Sequence, residues 1–528
     1  MSEGVDIVVI GSGHNGLVAA AYMAASGQNV LVLERQPWFG GGVVTRELTK
    51  PGFKHDQHSM AHIFIQANPL IKNDELGLIS KYGLKYIYPE SPLISVFADG
   101  ETLALYRDRQ KNYDEIARFS QQDAESYLRF SELAEKYLPS LIATLYSPPA
   151  PLGASFAIMD QSREGRYLFT MMQKSAYEVI TEWFRNERVV LHFHRMISEN
   201  LHSPDEQGTG LGLIMFLGFM ERFGTGIAEG GSGMLTRSLI DCIEDHGGAV
   251  RAGVSVEQVV VKGGRAVGVR SADGEEFAAR TAVIGAIHPH VLGKFVPGLD
   301  AEVDKDARAT TISQAACFTI HAALNEPLRF RAGAHVGQSI MIELLPDNLD
   351  NLRLHFDDLR YGRLPSHPLI GLGSLSTFDP SRVPAGRAIM HAWDYVPYDH
   401  PDGGARHWDE CKRDFAERML EHMRPFIENL TPQNIIGYHC DSPLDMERTS
   451  ASFVRGDIHG VATYMYQFGS HRPTPDLGQN TVPGVQRLYL VGPFQHPGGG
   501  VFGAGRATAM RMFDDLGMDF DRVVKGAA

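Results

Sequence analysis

The stretch VDIVVIGSGHNG, residues 5–16, decides the fold of this chain. Its first six residues form an apolar, β-branched run that predicts a buried strand, and the glycine turn leads into an alanine-rich stretch, residues 17–25, with helical composition. A second apolar run, residues 29–33, ends at Glu34. Strand, glycine turn, helix and a second strand closed by an acid follow the order of the dinucleotide-binding fingerprint.

Each position of this motif has its own physical task. Gly11 permits the tight turn, Gly13 lets the backbone approach a pyrophosphate, and Gly16 lets helix and strand pack closely. Glu34 is expected to accept hydrogen bonds from ribose hydroxyls and to repel a 2′-phosphate, which disfavours NADP. The alternative interpretation of residues 11–16 is an ordinary glycine turn that binds no dinucleotide. The predicted cofactor site also includes two neighbours in sequence, Asn15 and Arg35.

A second glycine cluster, GGGV, ends at Val43. With it the sequence resembles the FAD-dependent amine oxidase and phytoene desaturase superfamily, in which a Gly-Gly pair passes close to the FAD pyrophosphate. The resemblance implies FAD as the cofactor, bound at Gly41, Gly42 and Val43, although the family usually has Arg at the last position. It also implies contacts from Ser59, in a segment that passes the flavin, and from Val256, in a strand that pairs with the adenine edge.

The C-terminal block is the most specific part of the resemblance. Residues 487–492 are typical of a buried strand, and an HPGGG turn follows at residues 496–500. This order resembles phytoene dehydrogenase-like flavoproteins, in particular the branch named as pyridine nucleotide-disulfide oxidoreductase domain proteins. It implies a helix that begins near Gly500 and aims its N-terminal N–H groups at the flavin. The implied contacts are Gly492, Gly500 and Val501.

The same turn contains a false second fingerprint. Gly498, Gly500 and Gly503 also have the GxGxxG spacing, but several residues separate them from the strand and no βαβ unit surrounds them. No other match occurs, and the chain has no CxxC pair, which argues against a disulfide reductase that uses NAD(P)H. Electrons are therefore expected to enter the flavin from an organic substrate.

Length and composition predict a folded protein of more than one domain. The chain has 528 residues, 43% hydrophobic and 21% charged, and single cores tend to divide beyond about 250 to 300 residues. We expect an α/β fold in which a discontinuous, glutathione-reductase-like, Rossmann-type FAD-binding domain carries an inserted α+β substrate-binding domain. The first comprises residues 1–70, 229–297 and 480–528, and the second comprises residues 71–228 and 298–479.

Net charge, cysteine spacing and targeting signals limit the classes of partner and the cellular location that the sequence predicts. The net charge of −14 argues against nucleic acid, and the four scattered cysteines lack the spacing of a disulfide framework or a zinc site. No secretory signal or membrane-spanning stretch is found, which favours a reducing, cytoplasmic location. The apolar residues 137–159 are expected to be buried or to line a tunnel, with peripheral membrane contact as the alternative. The expected partner is a lipophilic small molecule, and the oligomeric state is left open.

Histidines supply the candidate catalytic groups. His496, in the HPGGG turn, and His58, after the second glycine cluster, are candidates for proton transfer, with a structural role in the turn as the alternative for His496. His58 and His62 have i, i+4 spacing but no third ligand nearby, so no metal site is expected. His192 and His194 alternate as in a strand and are interpreted as structural.

These observations predict an FAD-dependent oxidase or dehydrogenase. It is expected to dehydrogenate or desaturate a lipophilic or aromatic substrate by hydride transfer to flavin N5, with electrons passing to oxygen or another acceptor. Two alternatives remain: an FAD-dependent, non-redox isomerase of a polyene-like substrate, and an FAD-binding scaffold without turnover.

Overall fold

The computed structural model describes residues 4–526. Its strands are β1 Val5–Ile10, β2 Val30–Leu33, β3 Thr45–Arg46, β4 His55–Asp56, β5 Tyr86–Ile87, β6 Ser91–Val96, β7 Thr102–Leu105, β8 Ile227–Ala228, β9 Ala249–Arg251, β10 Val256–Lys262, β11 Arg265–Ser271, β12 Glu276–Gly285, β13 Ala316–Leu324, β14 Ser339–Leu344, β15 Gly371–Gly373, β16 Ala388–Val396, β17 Ile435–Asp441, β18 Thr481–Val482 and β19 Val485–Leu490. Its helices are α1 His14–Ala25, α2 Pro69–Lys72, α3 Arg109–Ala117, α4 Gln121–Leu145, α5 Leu152–Asp160, α6 Arg163–Gln173, α7 Ala176–Trp183, α8 Glu187–Ser198, α9 Gly212–Phe223, α10 Gly233–Asp245, α11 Leu292–Phe295, α12 Ala301–Arg308, α13 Leu349–Arg360, α14 Trp408–Met423, α15 Pro443–Thr449, α16 Ala504–Leu516 and α17 Phe520–Gly526.

The first sheet has the fingerprint strand β1 inside it. Its strands follow the order β10, β11, β19, β12, β1, β2 and β9, with β18 beside β19. The five strands β9, β2, β1, β12 and β19 run parallel to one another. Helix α1 packs against both α10 and α16. This parallel sheet with packed helices has the Rossmann-like architecture, so the predicted α/β fold class is confirmed.

Register aligns the carboxyl ends of four parallel strands. Ile10 of β1 pairs with Leu33 of β2 and with Gly285 of β12, and Gly285 pairs in turn with Leu490 of β19. The segments that follow these strands therefore emerge at one edge of the sheet. Ligands of open α/β sheets bind at this edge, where the strand order reverses, so the fold brings the N-terminal and C-terminal glycine turns together.

The second sheet is mixed and lies elsewhere in the sequence. Its order is β17, β13, β16, β15, β14, β6 and β7, and β13 pairs antiparallel with both β16 and β17. Every residue of β13 is buried, because helices and loops cover the sheet on both faces. A large apolar core joins this sheet to α4 and α7 to α9. The predicted domain boundaries stay a prediction, because sheet membership does not define domain limits.

Two local predictions are wrong. His192 and His194 lie in helix α8, capped by Asn186, because a three-residue alternation is too short to separate strand from helix periodicity. The C-terminal helix begins at Ala504 and not near Gly500, since the turn before it uses backbone conformations with positive φ, such as 77° at Gly500.

The apolar residues 137–159 divide into two parts. Tyr137, Leu138 and Leu145, at the end of α4, are buried as expected. Helix α5 has no buried residue, and Ile158 is 68% exposed, so the expectation of burial is wrong for this helix. Within residues 4–526, no helix combines the length and the hydrophobicity that are needed to cross a bilayer.

Candidate cofactor and substrate site

A cavity forms where the carboxyl ends of the parallel strands face elements of the second sheet. Its lining includes these residues of the predicted site: Gly13, Asn15, Gly16, Gly41, Gly42, Val43, His58, Ser59, Gly492 and Gly500. The other predicted residues lie outside the lining: Gly11, Glu34, Arg35, Val256, Val501 and His496. The fold thus gathers both N-terminal glycine clusters and the C-terminal turn around one space.

The two N-terminal glycine loops are pressed against each other. The Gly40 N–H donates a hydrogen bond of 3.1 Å to the Ser12 carbonyl. A Cβ placed on Gly41 would lie 3.0 Å from the Gly13 Cα, and Gly41 has a φ of +57°. Glycine is therefore required at this contact both by space and by backbone conformation.

The N-terminus of α1 forms an open cradle. Gly13 caps this helix, no side chain of the described residues caps its first turn, and that turn contains no acidic residue. A Cβ on Gly13 would meet no atom of the described chain within 4 Å, although Gly13 lines the cavity. Free N–H groups at a helix N-terminus, beside space and without a competing carboxylate, fit a pyrophosphate.

Glu34 is fixed at the end of β2. Its Oε2 accepts hydrogen bonds of 2.8 Å from the N–H and the hydroxyl of Ser12, and its Oε1 accepts one of 2.8 Å from the Gln36 N–H. Its carbonyl accepts a bond from Val254, which leads into β10 at Val256. The Glu34 carboxylate and the start of β10 therefore lie close together at the end of β2.

Arg35 and the C-terminal residues have distinct surroundings. The Arg35 side chain is exposed and donates to the Arg448 carbonyl at 3.3 Å.

Asn15 accepts a hydrogen bond of 3.2 Å from the Gly505 N–H, and a Cβ on Gly505 would lie 2.5 Å from the Asn15 carbonyl oxygen. Glycine at residue 505 therefore lets α16 press directly on α1. Val501 is partly buried against the larger apolar core.

The two candidate histidines differ in position. His58 lines the cavity, its ring stands edge-on to Phe453, and burial lowers its pKa to about 4. His496 lies outside the lining, and its Nε2 donates a hydrogen bond of 2.9 Å to the Thr144 carbonyl. Burial lowers the pKa of His496 to about 4 as well. These contacts connect His496 to the end of α4.

Sequence reasoning missed Glu199, the one Asp, Glu, Lys or Arg of the lining within residues 4–526. It follows α8, and its Oε1 accepts hydrogen bonds from Tyr395 Oη at 2.8 Å and from Trp393 Nε1 at 3.3 Å. Arg195, one helical turn earlier and fully buried, also bonds to this oxygen. An Arg and a Glu at i, i+4 on a helix rich in apolar residues were the available signal.

A second carboxyl completes this cluster. Glu343 of β14 is fully buried and lies 2.5 Å from the Arg195 guanidinium. Burial raises the pKa of Glu343 well above its usual value, and the Glu199 carboxylate adds to this rise while Arg195 opposes it. Arg195 is thus shared between two carboxyl groups, and the raised pKa of Glu343 favours a cluster with little net charge.

The histidines of the lining are neutral at pH 7. Burial lowers the pKa of His14 to about 3 and that of His391 to about 4. The His391 ring stacks on His321 with 4.3 Å between centroids, because β13 and β16 pair at these two residues. Burial holds the pKa of His321 well below its usual value.

The remaining wall is mainly apolar and aromatic: Met60, Ile63, Phe64, Phe216, Met341, Trp393, Met446, Phe453, Ile458 and Phe502.

Comparison with known proteins agrees with this architecture. A rat protein named pyridine nucleotide-disulfide oxidoreductase domain-containing protein 2 (Rattus norvegicus) is 30% identical, over 97% of this chain and 94% of that protein. A limonene dehydrogenase polypeptide of Castellaniella defragrans is 25% identical, over 97% of this chain and 95% of its own length. The crystal structure of an oxidoreductase from Methanosarcina mazei has the same fold, with a TM-score of 0.63 at 16% identity, covering 96% of this chain and all of that one.

Family membership follows from a match along most of the chain. Residues 16–512 match the model of the family described as flavin containing amine oxidoreductase. The glycine cradle, the acid after β2 and the parallel sheet are the features on which an FAD-binding fold depends. The chain belongs to the flavin containing amine oxidoreductase family, and it is an FAD-dependent oxidoreductase.

Proposed function

We propose that this enzyme dehydrogenates a neutral, lipophilic substrate. The observation that supports this most directly is the charge of the cavity: among the described residues, Glu199 is the one Asp, Glu, Lys or Arg in its lining, and Arg195 neutralises it. The histidines of the lining are neutral, and most of the wall is apolar. A substrate without charge is desolvated here at little cost, whereas a buried charge without a free partner is disfavoured.

We propose that the glycine cradle holds the cofactor. The α1 N-terminus and Gly41 would hold the FAD pyrophosphate, and Glu34 would bind the adenosine ribose. Gly492 and Gly500 would leave room for the flavin ring, since both line the same cavity. FAD, when bound, accepts a hydride at N5 and passes the electrons to oxygen or another acceptor.

Glu199 is our candidate for the proton that accompanies the hydride. Removal of two hydrogens as one hydride and one proton requires a group that takes the proton, and a carboxylate is suited to this. Trp393 and Tyr395 hold Glu199 Oε1, so these residues fix the position of the carboxylate. His58, also in the lining, is the second candidate for this role.

Similarity to named relatives supports an apolar substrate. The Castellaniella protein is named for limonene, a hydrocarbon without an ionisable group. An amine substrate would be an ammonium at pH 7 and would need an uncompensated carboxylate, but the Glu199 carboxylate already pairs with Arg195. We therefore favour a hydrocarbon-like substrate over an amine.

The test is an anaerobic titration of the FAD-loaded protein, followed by flavin absorbance. Limonene, a linear polyene and cyclohexylamine serve as probes, and we expect bleaching by a hydrocarbon and none by the amine. Bleaching by the amine alone would overturn the substrate class. A product with the same mass as the substrate, formed only when the flavin is reduced, would indicate that the protein is an isomerase. A lack of turnover with every class of compound would indicate an FAD-binding scaffold without enzymatic activity.

We also propose that α5 contacts membranes that contain the substrate. Its apolar residues, among them Phe156 and Ile158, have no buried position, which is unusual for a water-facing helix. Arg163 and Arg166 follow on α6, but Asp160 and Glu164 balance their charge, so the proposed contact depends on the exposed apolar side chains. All four cysteines are unpaired, as suits the reducing, cytoplasmic location that we propose.

A further inference from the structure

A cluster of three potential metal ligands lies outside the cavity. His400, His407 and Cys411 each offer one ligand atom, and these atoms lie within 4.8 Å of one another. None of the three lines the cofactor and substrate cavity. His400 is 4% exposed, so at least one of these ligands is held inside the protein.

The local sequence explains why the three side chains meet. After β16 the chain turns back on itself: the His400 carbonyl accepts hydrogen bonds from the Gly403 and Gly404 N–H groups, and Gly404 has a φ of +67°. His407 directly precedes α14, and Cys411 follows one helical turn later on the same side. The turn thus folds His400 over the start of the helix.

Aromatic packing fixes the two rings. The His400 ring stands edge-on to Trp408 at 4.9 Å between centroids, and the Trp408 side chain is fully buried. The centroids of His400 and His407 are 4.6 Å apart with an interplanar angle of 53°. Tilted rings at this distance can direct one nitrogen each toward a common point, as the histidine ligands of one ion do.

Two carboxylates complete the surroundings. His407 Nδ1 lies 3.1 Å from the Glu410 carboxylate, the type of contact that orients a metal-binding imidazole through its other nitrogen. His400 Nδ1 accepts a hydrogen bond of 3.2 Å from the Asp402 N–H, which zinc binding at His400 would replace. The Asp402 carboxylate lies 3.8 Å from His400 Nδ1, outside the cluster of three, and is largely exposed, so it would have to rotate to reach a fourth position. With a thiolate and this carboxylate, the charge of a divalent cation is balanced.

We propose that His400, His407, Cys411 and Asp402 form a structural zinc site. Two imidazoles, a thiolate and a carboxylate are ligands that zinc accepts in tetrahedral geometry. Zn–N bonds of about 2.0 to 2.1 Å and Zn–S bonds of about 2.3 Å place the ligand atoms roughly 3.3 to 3.6 Å apart. The observed spacing of up to 4.8 Å reaches this by small side-chain rotations.

The site would fasten the loop after β16 to the start of α14. Strand β16 carries His391, Trp393 and Tyr395 of the cavity wall, so zinc would stabilise the strand that supports this wall. Zinc would have no part in the redox chemistry, because its ligands lie outside the cavity. Binding is therefore measurable whether or not the proposed substrate class is correct.

Zinc titration of the FAD-loaded, chelator-treated protein tests the proposal. We expect one zinc per chain by calorimetry and by metal analysis after dialysis, and a higher melting temperature with zinc. His407→Ala and Cys411→Ser should each weaken binding at least 100-fold. His422→Ala, an exposed histidine near the end of the same helix, is the matched control and should bind as the natural chain does.

Two outcomes would overturn the site: the natural chain takes up no zinc, or both ligand variants retain one zinc at unchanged affinity. The visible flavin spectrum of each variant shows whether it is folded and loaded. The titration of the natural chain decides the question even where a variant fails to fold.

Discussion

The Tyr395 hydroxyl donates a hydrogen bond of 2.8 Å to Oε1 of Glu199. Tyr395 lies near the end of β16, and Glu199 follows helix α8, so the bond joins the second sheet to the helical layer that covers it. Trp393, two residues earlier on the same face of β16, bonds to the same oxygen. The carboxylate of the cavity lining is therefore held by an aromatic pair.

Replacement of this carboxylate should slow the chemical step. We expect Glu199→Gln to lower the rate of flavin reduction by substrate about 10² to 10⁴-fold, the usual contribution of a positioned acid or base. FAD content should stay unchanged, because Glu199 does not belong to the glycine cradle. Tyr395→Phe keeps the carboxylate and should have a smaller effect. Stopped-flow absorbance measures both rates, and an unchanged rate in Glu199→Gln would move the assignment to His58.

Filling the glycine cradle should weaken cofactor binding. Gly13→Ala adds a Cβ that meets no atom of the described residues within 4 Å, so stability should change little while the pyrophosphate loses its space. Gly153→Ala, on α5, is the matched control because its Cβ also has open space in the described structure. We expect the FAD dissociation constant to rise at least 10-fold in the first variant only. Equal affinity in both variants would contradict the proposed position of the pyrophosphate.

Acid should destabilise the folded protein below pH 6.5. Burial lowers the pKa of His391 from 6.5 to about 4, so between these values the unfolded chain binds more protons and stability falls as pH falls. One such group contributes about 1.4 kcal/mol per pH unit in this window. His391→Phe keeps an aromatic ring on His321 and should reduce the slope of the free energy of unfolding against pH.

Chemical unfolding at pH 7.0, 6.0 and 5.0 measures this dependence. His246→Gln replaces an exposed histidine far from the cavity in sequence and serves as the control for the loss of a surface histidine. A slope that is the same in His391→Phe and in the natural chain would show that His391 protonates alike in both states.

Membrane contact should depend on the exposed face of α5. Ile158→Asp places a charge on this face and should lower the fraction of protein that floats with anionic vesicles several-fold. Tyr361→Asp is matched in exposure, because both side chains are 68% exposed, and it lies at the end of α13. A similar loss in both variants would indicate general repulsion by added negative charge and not an α5 contact.

Much of the proposed cofactor site follows from local sequence. The order of β1, glycine turn, α1 and β2 with Glu34 requires only near neighbours, because each glycine acts on the backbone beside it. The family resemblance extended this to Gly492 and Gly500. By contrast, the strand prediction for His192 and His194 failed, since tertiary packing and an Asn186 cap determine α8.

The proposed zinc ligands show a second limit of sequence reasoning. His400, His407 and Cys411 do not have a recognised motif spacing, so the sequence predicted no metal site. Their meeting depends on the turn at Gly403 and Gly404 and on the packing of His400 against Trp408. Such contacts depend on how the side chains are oriented in three dimensions. A sequence motif records only how many residues separate the candidate ligands.

The sequence alone determined the cofactor class, because the backbone conformations and close approaches that FAD requires leave glycine and acid signatures within short segments. Tertiary structure decided the character of the substrate cavity. Glu199, Arg195 and Glu343 become one buried cluster of charged and polar groups only when α8 packs against the second sheet. Charge balance and pKa depend on burial and on partners from other elements, which no single segment of the sequence contains.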